Sequence, residues 1–291
     1  MRLRVIELDN LTKYYGDIRG IENLSFEVEG GEIFGYLGPN GAGKTTTIRT
    51  LLGFLKPTGG KARIFGKDIE KEIVEIKQDV GYIPGDLSLY GNLTGGEFLD
   101  YFASLRSCNE SLLDDLLDTF EVSLERKIEG FSRGTRQKLA IVQAFMHDPK
   151  LIITDEPTAG LDPLMQQKLY EFLKKEKEKS RTLFFSSHIL SEVDKICDRV
   201  GIIREGKLVA LEKIESLKSK RGKIVRVKIE EDSERFNGPE DMEIEDDGWI
   251  RFIVREDINY WIEKLSKFNV LDLEIHNFSL EDIFMHYYEK E

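Results

Sequence analysis

Eight residues, Gly38-Pro39-Asn40-Gly41-Ala42-Gly43-Lys44-Thr45, constrain this chain more than any other feature. They fit the pattern G-x-x-x-x-G-K-[ST], which cradles a polyphosphate. Ahead of them Ile33-Phe34-Gly35-Tyr36-Leu37 reads as a buried strand, and Thr45 to Leu52 behind them reads as a helix. Glycines remove the Cβ atoms that would keep successive backbone N–H groups from wrapping phosphate oxygens. The helix N-terminus adds donors and a partial positive charge. Lys44 is placed to reach the β- and γ-phosphates, and the Thr45 hydroxyl to hold Mg²⁺. At average residue frequencies the pattern arises by chance in roughly one chain in a hundred of this size. The flanking strand and helix lower that further, so the sequence predicts a mononucleotide site.

Composition narrows the class of protein around that site. The chain has 291 residues, 40% hydrophobic and 33% charged, enough for one large domain or two ordinary ones. No apolar run approaches the ~18 residues that a membrane span requires. Met1 to Glu7 lacks the apolar stretch of a secretion signal. Cys108 and Cys197 are far apart and have no ligand-spaced partners, as in a cytoplasmic protein with reduced thiols. A formal charge of −12 argues against nucleic acid as a partner gripped by the whole surface.

Strand and helix signals alternate up to residue 214. Arg4–Leu8 and Leu24–Val28 alternate apolar with polar residues, and Ala62–Phe65 and Val80–Ile83 are short strand candidates around a helical stretch. Thr94 to Phe120 reads as helical, and another helix is predicted from about Arg136 to Met146. The apolar runs Leu151–Thr154, Thr182–Ser186 and Val200–Ile203 are separated by helices at Pro163–Glu178 and Ile189–Ile196. That is the pattern of a parallel sheet with crossover helices. The basic stretch Lys218 to Lys223 suits a linker or a solvated turn. Beyond it lie strands at Ile224–Ile229, Trp249–Val254 and Val270–Ile275, and helices at Ile258–Phe268 and Leu280–Tyr288. Residues 215–291 hold 12 basic and 20 acidic side chains, so most of the net charge belongs to a small acidic α+β tail.

A second motif completes the chemistry. Leu151-Ile152-Ile153-Thr154-Asp155-Glu156 ends an apolar strand in two carboxylates, at the edge where ligands of such sheets sit. Asp155 is placed to hold Mg²⁺, directly or through water. Glu156 is placed to polarise the water that attacks the γ-phosphate.

With these motifs in order, the chain resembles the nucleotide-binding subunit of an ATP-binding cassette (ABC) transporter. Further stretches carry the resemblance. Tyr15, in Lys13-Tyr14-Tyr15-Gly16, matches the aromatic that stacks on adenine. Phe131-Ser132-Arg133-Gly134-Thr135-Arg136-Gln137 is similar to the family signature, so Ser132, Gly134 and the helix behind them are implied to bind a γ-phosphate. Pro157 to Pro163, with Asp162, resembles the loop after the catalytic carboxylate, with Ala159 where serine is commoner. His188, in Ser186-Ser187-His188, matches the switch histidine that contacts the γ-phosphate.

The resemblance implies an α/β fold, a P-loop NTPase of ABC type, with a mixed sheet core, an N-terminal antiparallel sheet and a helical subdomain at about 86–148. A 1–214 ATPase domain would precede a 215–291 accessory domain. ATP and Mg²⁺ are implied as cofactors, with Lys44, Glu156 and His188 catalytic. Pro39, Asn40, Gly41, Ala42, Gly43 and Thr46 join Gly38, Lys44 and Thr45 on the nucleotide. The implied partners are a second ATPase subunit, closing head-to-tail around two ATP, and a transmembrane permease. That places the chain at the cytoplasmic face of the membrane.

The sequence also departs from the family. Arg133 and Thr135 stand where glycine and glutamine are usual. In Val80 to Asp86, Gly85 occupies the place of a glutamine that reaches toward Mg²⁺; Asp86 can substitute from one residue away, or water can. In the family, Leu87–Arg106 forms a groove that receives a short helix of the membrane subunit. Tyr90 and Leu93 suit that groove, whereas Phe98 and Tyr101 are expected in the core. Phe278-Ser279-Leu280-Glu281-Asp282-Ile283-Phe284 resembles the ending of ATPase subunits of ABC-2-type exporters, and is also a well-capped helix start. The leading expectation is an exporter's ATPase subunit. The alternatives are a soluble ABC ATPase that acts on a macromolecular partner, and a non-hydrolysing switch, against which the presence of Glu156 and His188 argues.

Overall fold

The computed structural model describes residues 3–106, 108–220, 222–230, 236–239, 242–245, 247–254 and 257–277. The chain opens with a long antiparallel pair, β1 (Arg4–Tyr15) and β2 (Ile18–Glu29). The phosphate loop then lies between β3 (Ile33–Leu37), buried at every position, and α1 (Lys44–Leu51). Next come β4 (Gly59–Ile64), β5 (Lys67–Asp68), α2 (Ile73–Gln78) and β6 (Val80–Ile83). Three helices follow: α3 (Gly95–Leu105), α4 (Glu110–Phe120) and α5 (Arg133–Phe145). The chain returns through β7 (Leu151–Asp155), α6 (Pro163–Glu178), β8 (Thr182–Ser187), α7 (Leu190–Ile196), β9 (Arg199–Arg204) and β10 (Lys207–Lys213).

The central six-stranded sheet has the order β10-β9-β3-β8-β7-β6. Its pairs β3–β8, β3–β9, β7–β8 and β6–β7 are all parallel. The left-handed Glu205-Gly206 turn folds β10 back beside β9. The β3, β7, β8 and β6 strands therefore end on one rim, which carries the phosphate loop, Asp155, His188 and Gly85. A second sheet, β2-β1-β4-β5, packs against it. Phe26 of β2, Phe34 and Tyr36 of β3 and Phe184 of β8 interlock between the two sheets, with ring centroids 5.2–6.5 Å apart. Tyr36 continues this core to α1, its hydroxyl lying 3.1 Å from Thr47 Oγ1.

The helix ends follow from their capping residues. Thr94 and Glu97 form a reciprocal capping box at α3, and the Asn109 side chain accepts from Leu112 N at α4. These two caps divide the helical stretch read from Thr94 to Phe120. Asp162 caps α6, which then starts on Pro163. The helix expected from Arg136 begins three residues earlier, at Arg133, because Ser132 is its N-cap. Phe98 is buried on α3, as expected. Tyr101 is not a core residue: it is 46% exposed and meets Tyr90 edge-on at 6.0 Å.

Where these helices meet β6, His147 is held as a neutral base. Arg106 Nη1 lies 3.0 Å from His147 Nε2 and also donates to Val80 O. Burial, then the charge of Arg106, pushes the imidazole down to about 4; Arg181 adds to this and Asp148 opposes it. Below its usual value of 6.5, the unfolded imidazole takes up a proton that the folded one refuses. Stability is thus expected to fall as pH drops from 6.5 toward about 4. Urea melts across that range should show a shallower loss for His147→Gln; an unchanged slope would remove His147 as the source.

The division into two units falls between Leu211 and Glu212, inside β10. The second unit holds α8 (Ile214–Lys220), β11 (Lys223–Ile229), β12 (Glu243–Ile244), β13 (Ile250–Val254), α9 (Ile258–Leu265) and β14 (Val270–Asn277). Its sheet has the order β12-β13-β11-β14. Val225, Val227, Ile250 and Phe252 form its core with Phe236, Trp261 and Leu265. The basic stretch read as a linker or turn begins inside α8. The helix expected at Leu280–Tyr288 and the Phe278–Phe284 motif lie outside the described residues.

Candidate nucleotide site

The phosphate loop is shaped from within. Gly43 adopts φ 107°, and a Cβ there would stand 2.7 Å from Gly20 O, so only glycine fits the turn into α1. Ala42, buried, donates its N–H to Pro39 O. The N–H groups of Lys44, Thr45 and Thr46, in the first turn of α1, have no acceptor among the described residues. A cavity of about 270 Å³ lies over them, lined by Tyr15, Ile18, Arg19, Gly20, Asn40, Gly41, Gly43, Lys44, Thr45, Thr46 and Glu156. Gly38, Pro39 and Ala42 build the loop from behind. Tyr15 is about half exposed, and its hydroxyl lies 3.4 Å from Thr46 Oγ1. Tyr14 instead donates to Glu22 at 2.7 Å.

Lys44 is buried, and its ammonium donates to Gly38 O at 2.7 Å and Pro39 O at 3.0 Å. Burial pulls it below its ordinary pKa, while the Glu156 and Asp155 carboxylates hold it up. Glu156 Oε1 lies 3.5 Å from Lys44 Nζ and 2.9 Å from His188 Nδ1. Glu156 itself has φ 51°, and its N–H donates to Ser186 O at the neighbouring strand end. The backbone is thus held in a left-handed turn that points this carboxylate over the loop.

Beside it, Thr45 Oγ1 donates to Asp155 Oδ2 at 2.7 Å, and Ser186 Oγ donates to Asp155 Oδ1 at 3.1 Å. A hydroxyl and a carboxylate oriented by a further hydroxyl form an oxygen set suited to Mg²⁺, which takes few protein ligands and completes its shell from phosphates and water. The described residues contain no cluster of three or more His, Cys, Asp or Glu side chains placed to hold a metal ion.

A second cleft, of about 320 Å³, adjoins this pair and is lined by Thr45, Arg49, Tyr82, Pro84, Gly85, Asp86, Asp155 and Glu156. Asp86 is exposed there. A Cβ on Gly85 would stand 3.0 Å from Asp155 O, so the backbone of this loop presses against the end of β7. A larger cavity of about 510 Å³, between α4 and α6, contains none of these groups.

Ser132, Gly134 and Asp162 line neither site cavity. Ser132 Oγ accepts from Thr135 N at 3.1 Å and lies 2.9 Å from Thr135 Oγ1, so the unusual Thr135 belongs to the cap of α5. Asp162 Oδ1 accepts from Met165 N. The buried Gln137 donates to Pro157 O at 2.8 Å, tying the start of α5 to the loop after Glu156. Gly20, Arg19 and Arg49 carry no sequence signal of their own, because only folding brings them to the two cavities; Tyr82 lies in the Val80–Asp86 stretch, but its place in the second cleft is visible only in the fold. Ser186 lies within the quoted Ser186-Ser187-His188 stretch, but its role on Asp155 is visible only in the fold.

A phosphate loop, a hydroxyl–carboxylate pair and a further carboxylate beside a histidine, all on the rim of a largely parallel sheet, define a nucleoside-triphosphatase class of protein. Residues 21–159 match the profile of the ABC transporter family. The chain is 36% identical over 294 aligned positions to the bacitracin transport ATP-binding protein BcrA of Bacillus licheniformis, covering 97% of this chain and 96% of that relative. It is 34% identical to the uncharacterized ABC transporter ATP-binding protein YhcH of Bacillus subtilis (strain 168), covering 97% and 95%. Among solved structures, an ATP binding subunit of an ABC transporter shares 32% identity and a TM-score of 0.67, over 74% of this chain and 92% of that one. The dimeric MJ0796, a bacterial ABC transporter cassette, shares 25% identity and a TM-score of 0.67, over 72% and 98%. The chain belongs to the ABC transporter family, as an ATP-binding subunit and an ATPase. ATPase subunits of this family dimerise and serve transmembrane permeases. No helix among the described residues is long and apolar enough to cross a membrane.

Proposed function

We propose that this subunit is the motor of an exporter and works on the cytoplasmic face of the membrane with a separate permease. Two copies, or one copy and a similar chain, close head-to-tail around ATP. Tyr15 takes the base, and the Gly38–Thr46 loop takes the phosphates. Ser132, Gly134 and Asp162 of the opposite subunit complete the site. The relatives' names support transport, and the dimeric cassette supports the pairing.

The observation that carries the chemistry is Glu156 Oε1, placed between Lys44 and His188 beside the Thr45–Asp155 pair. In that position Glu156 accepts the proton of the attacking water, and His188 fixes the carboxylate's orientation. Lys44 and the α1 N–H groups meet the charge of the phosphate oxygens. Thr45, Asp155 and Asp86 would hold Mg²⁺, which supplies charge neutralisation at the phosphates when bound. Phosphate release from MgATP by the purified chain with its co-purifying membrane protein tests the whole. Absence of both turnover and a polytopic partner would refute it; a ribosomal or nucleic-acid partner would favour the non-transport reading.

Asp86 has its own test. Asp86→Ala is expected to lower turnover about tenfold and to raise the Mg²⁺ concentration needed for half-maximal nucleotide binding. Unchanged values for both would remove Asp86 from the site.

A further inference from the structure

His188 sits on a short segment whose two neighbours are tied to one buried carboxylate. Glu192, in the first turn of α7, is 4% exposed. Its Oε2 accepts from Ser187 Oγ at 2.6 Å, and its Oε1 accepts from Tyr170 OH of α6 at 3.0 Å. Ser187 Oγ in turn accepts from Ile189 N at 2.9 Å. The residues before and after His188 are thus linked, through one hydroxyl, to a carboxylate anchored on a different helix.

Glu192 has no ion-pair partner among the described residues. Burying a carboxylate costs free energy unless its hydrogen bonds repay it, and an apolar side chain would fill the same space at lower cost. Packing alone therefore does not account for it. Its bonds join α6, through Tyr170, to the loop that aims His188 at Glu156, 2.9 Å away.

We propose that Glu192 is a positioning residue for ATP hydrolysis, holding the Ser187–Ile189 segment so that His188 keeps its contact with Glu156 as the γ-phosphate is attacked. This rests on the reading of His188 given above. Tyr170 extends the support into α6, so that His188 is aimed from two helices rather than by its own loop. Misplacing an aligned group by about 1 Å costs turnover rather than ground-state binding, because the alignment matters most at the transition state.

The test compares Glu192→Ala, Glu192→Gln, Tyr170→Phe, His188→Ala and the double variant His188→Ala/Glu192→Ala in the full-length chain assembled with its partner. Glu192→Ala is expected to lower kcat about tenfold while KM for MgATP moves less than about twofold. Glu192→Gln, which keeps the shape and can still bond Ser187, should recover most of that loss. The double variant should be no slower than His188→Ala, since removing the aimed group makes the aim irrelevant. The ring nitrogen resonances of ¹⁵N-labelled His188 should move in Glu192→Ala.

Independent, multiplying losses in the double variant, or His188 resonances that stay put, would overturn the proposal alone. A His188→Ala protein that hydrolyses at the wild-type rate would instead overturn the role of His188. Should Glu192→Ala fail to fold, Tyr170→Phe removes one of the two donors and keeps the ring. A kcat reduced about threefold, with the same dependence on His188, then supports the proposal, and an unchanged kcat refutes it.

Discussion

Replacing Lys44 by alanine is expected to abolish tight MgATP binding. The ammonium is buried, is held by the carbonyls of Gly38 and Pro39, and is flanked by Glu156. A cation fixed at this point offsets the phosphate charge where water is largely excluded; Arg19 also lines the cavity, but Lys44 alone is held between the loop carbonyls and Glu156. Charge-assisted bonds of this kind are the strong ones, so the dissociation constant should rise at least about 100-fold, or roughly 3 kcal/mol. Titration calorimetry of both proteins with MgATP measures this directly. A change of only a few-fold would mean that the backbone N–H groups of α1 carry the binding and Lys44 does not.

Glu156→Gln separates binding from chemistry. Glutamine keeps the shape of the side chain and can still accept from His188, but it cannot take a proton from water. Nucleotide affinity should stay near the wild-type value, while turnover falls by about a thousandfold. With hydrolysis blocked, the ATP that joins two subunits persists, and size-exclusion chromatography with MgATP should give twice the monomer mass. A persistent monomer, or rapid phosphate release, would count against the enclosed site and against Glu156 as its base.

The parts of the fold that were readable in the sequence are those where one signal dominates. The Pro163–Glu178 helix was placed to the residue, because the proline fixes its start and a sustained apolar stripe carries it to its end. The buried strands β3, β7 and β8 stood out as short apolar runs. The first two strands were read only at Arg4–Leu8 and Leu24–Val28, although each runs for 12 residues. Register shifts around Asn10 and the left-handed conformations of Asn10 and Asn23 interrupt the alternation that marks a strand. β12 was hidden in an acidic cluster, because two residues carry no period. Tyr101 was misplaced because helical spacing shows which residues share a face, but not whether that face is covered.

The site divides along similar lines. Lys44, Thr45, Asp155, Glu156 and His188 each stand in a local motif, and the structure brings them within a few ångströms of one another. The Tyr170–Glu192–Ser187 support was invisible, since its members come from α6, α7 and β8 and converge only through packing.

The interlocked Phe26, Phe34, Tyr36 and Phe184 rings have a consequence for how a spent nucleotide is sensed. They weld the sheet that ends in Tyr15 to the strand that launches the phosphate loop, like the two jaws of a caliper locked at one opening. Rings packed this closely resist any sliding together of the jaws when the bound molecule becomes one phosphate shorter. With Tyr15 on the base, as proposed, the slack would open at the far tip, beside Glu156 and His188, so the news of cleavage would start there and leave the grip on the base undisturbed.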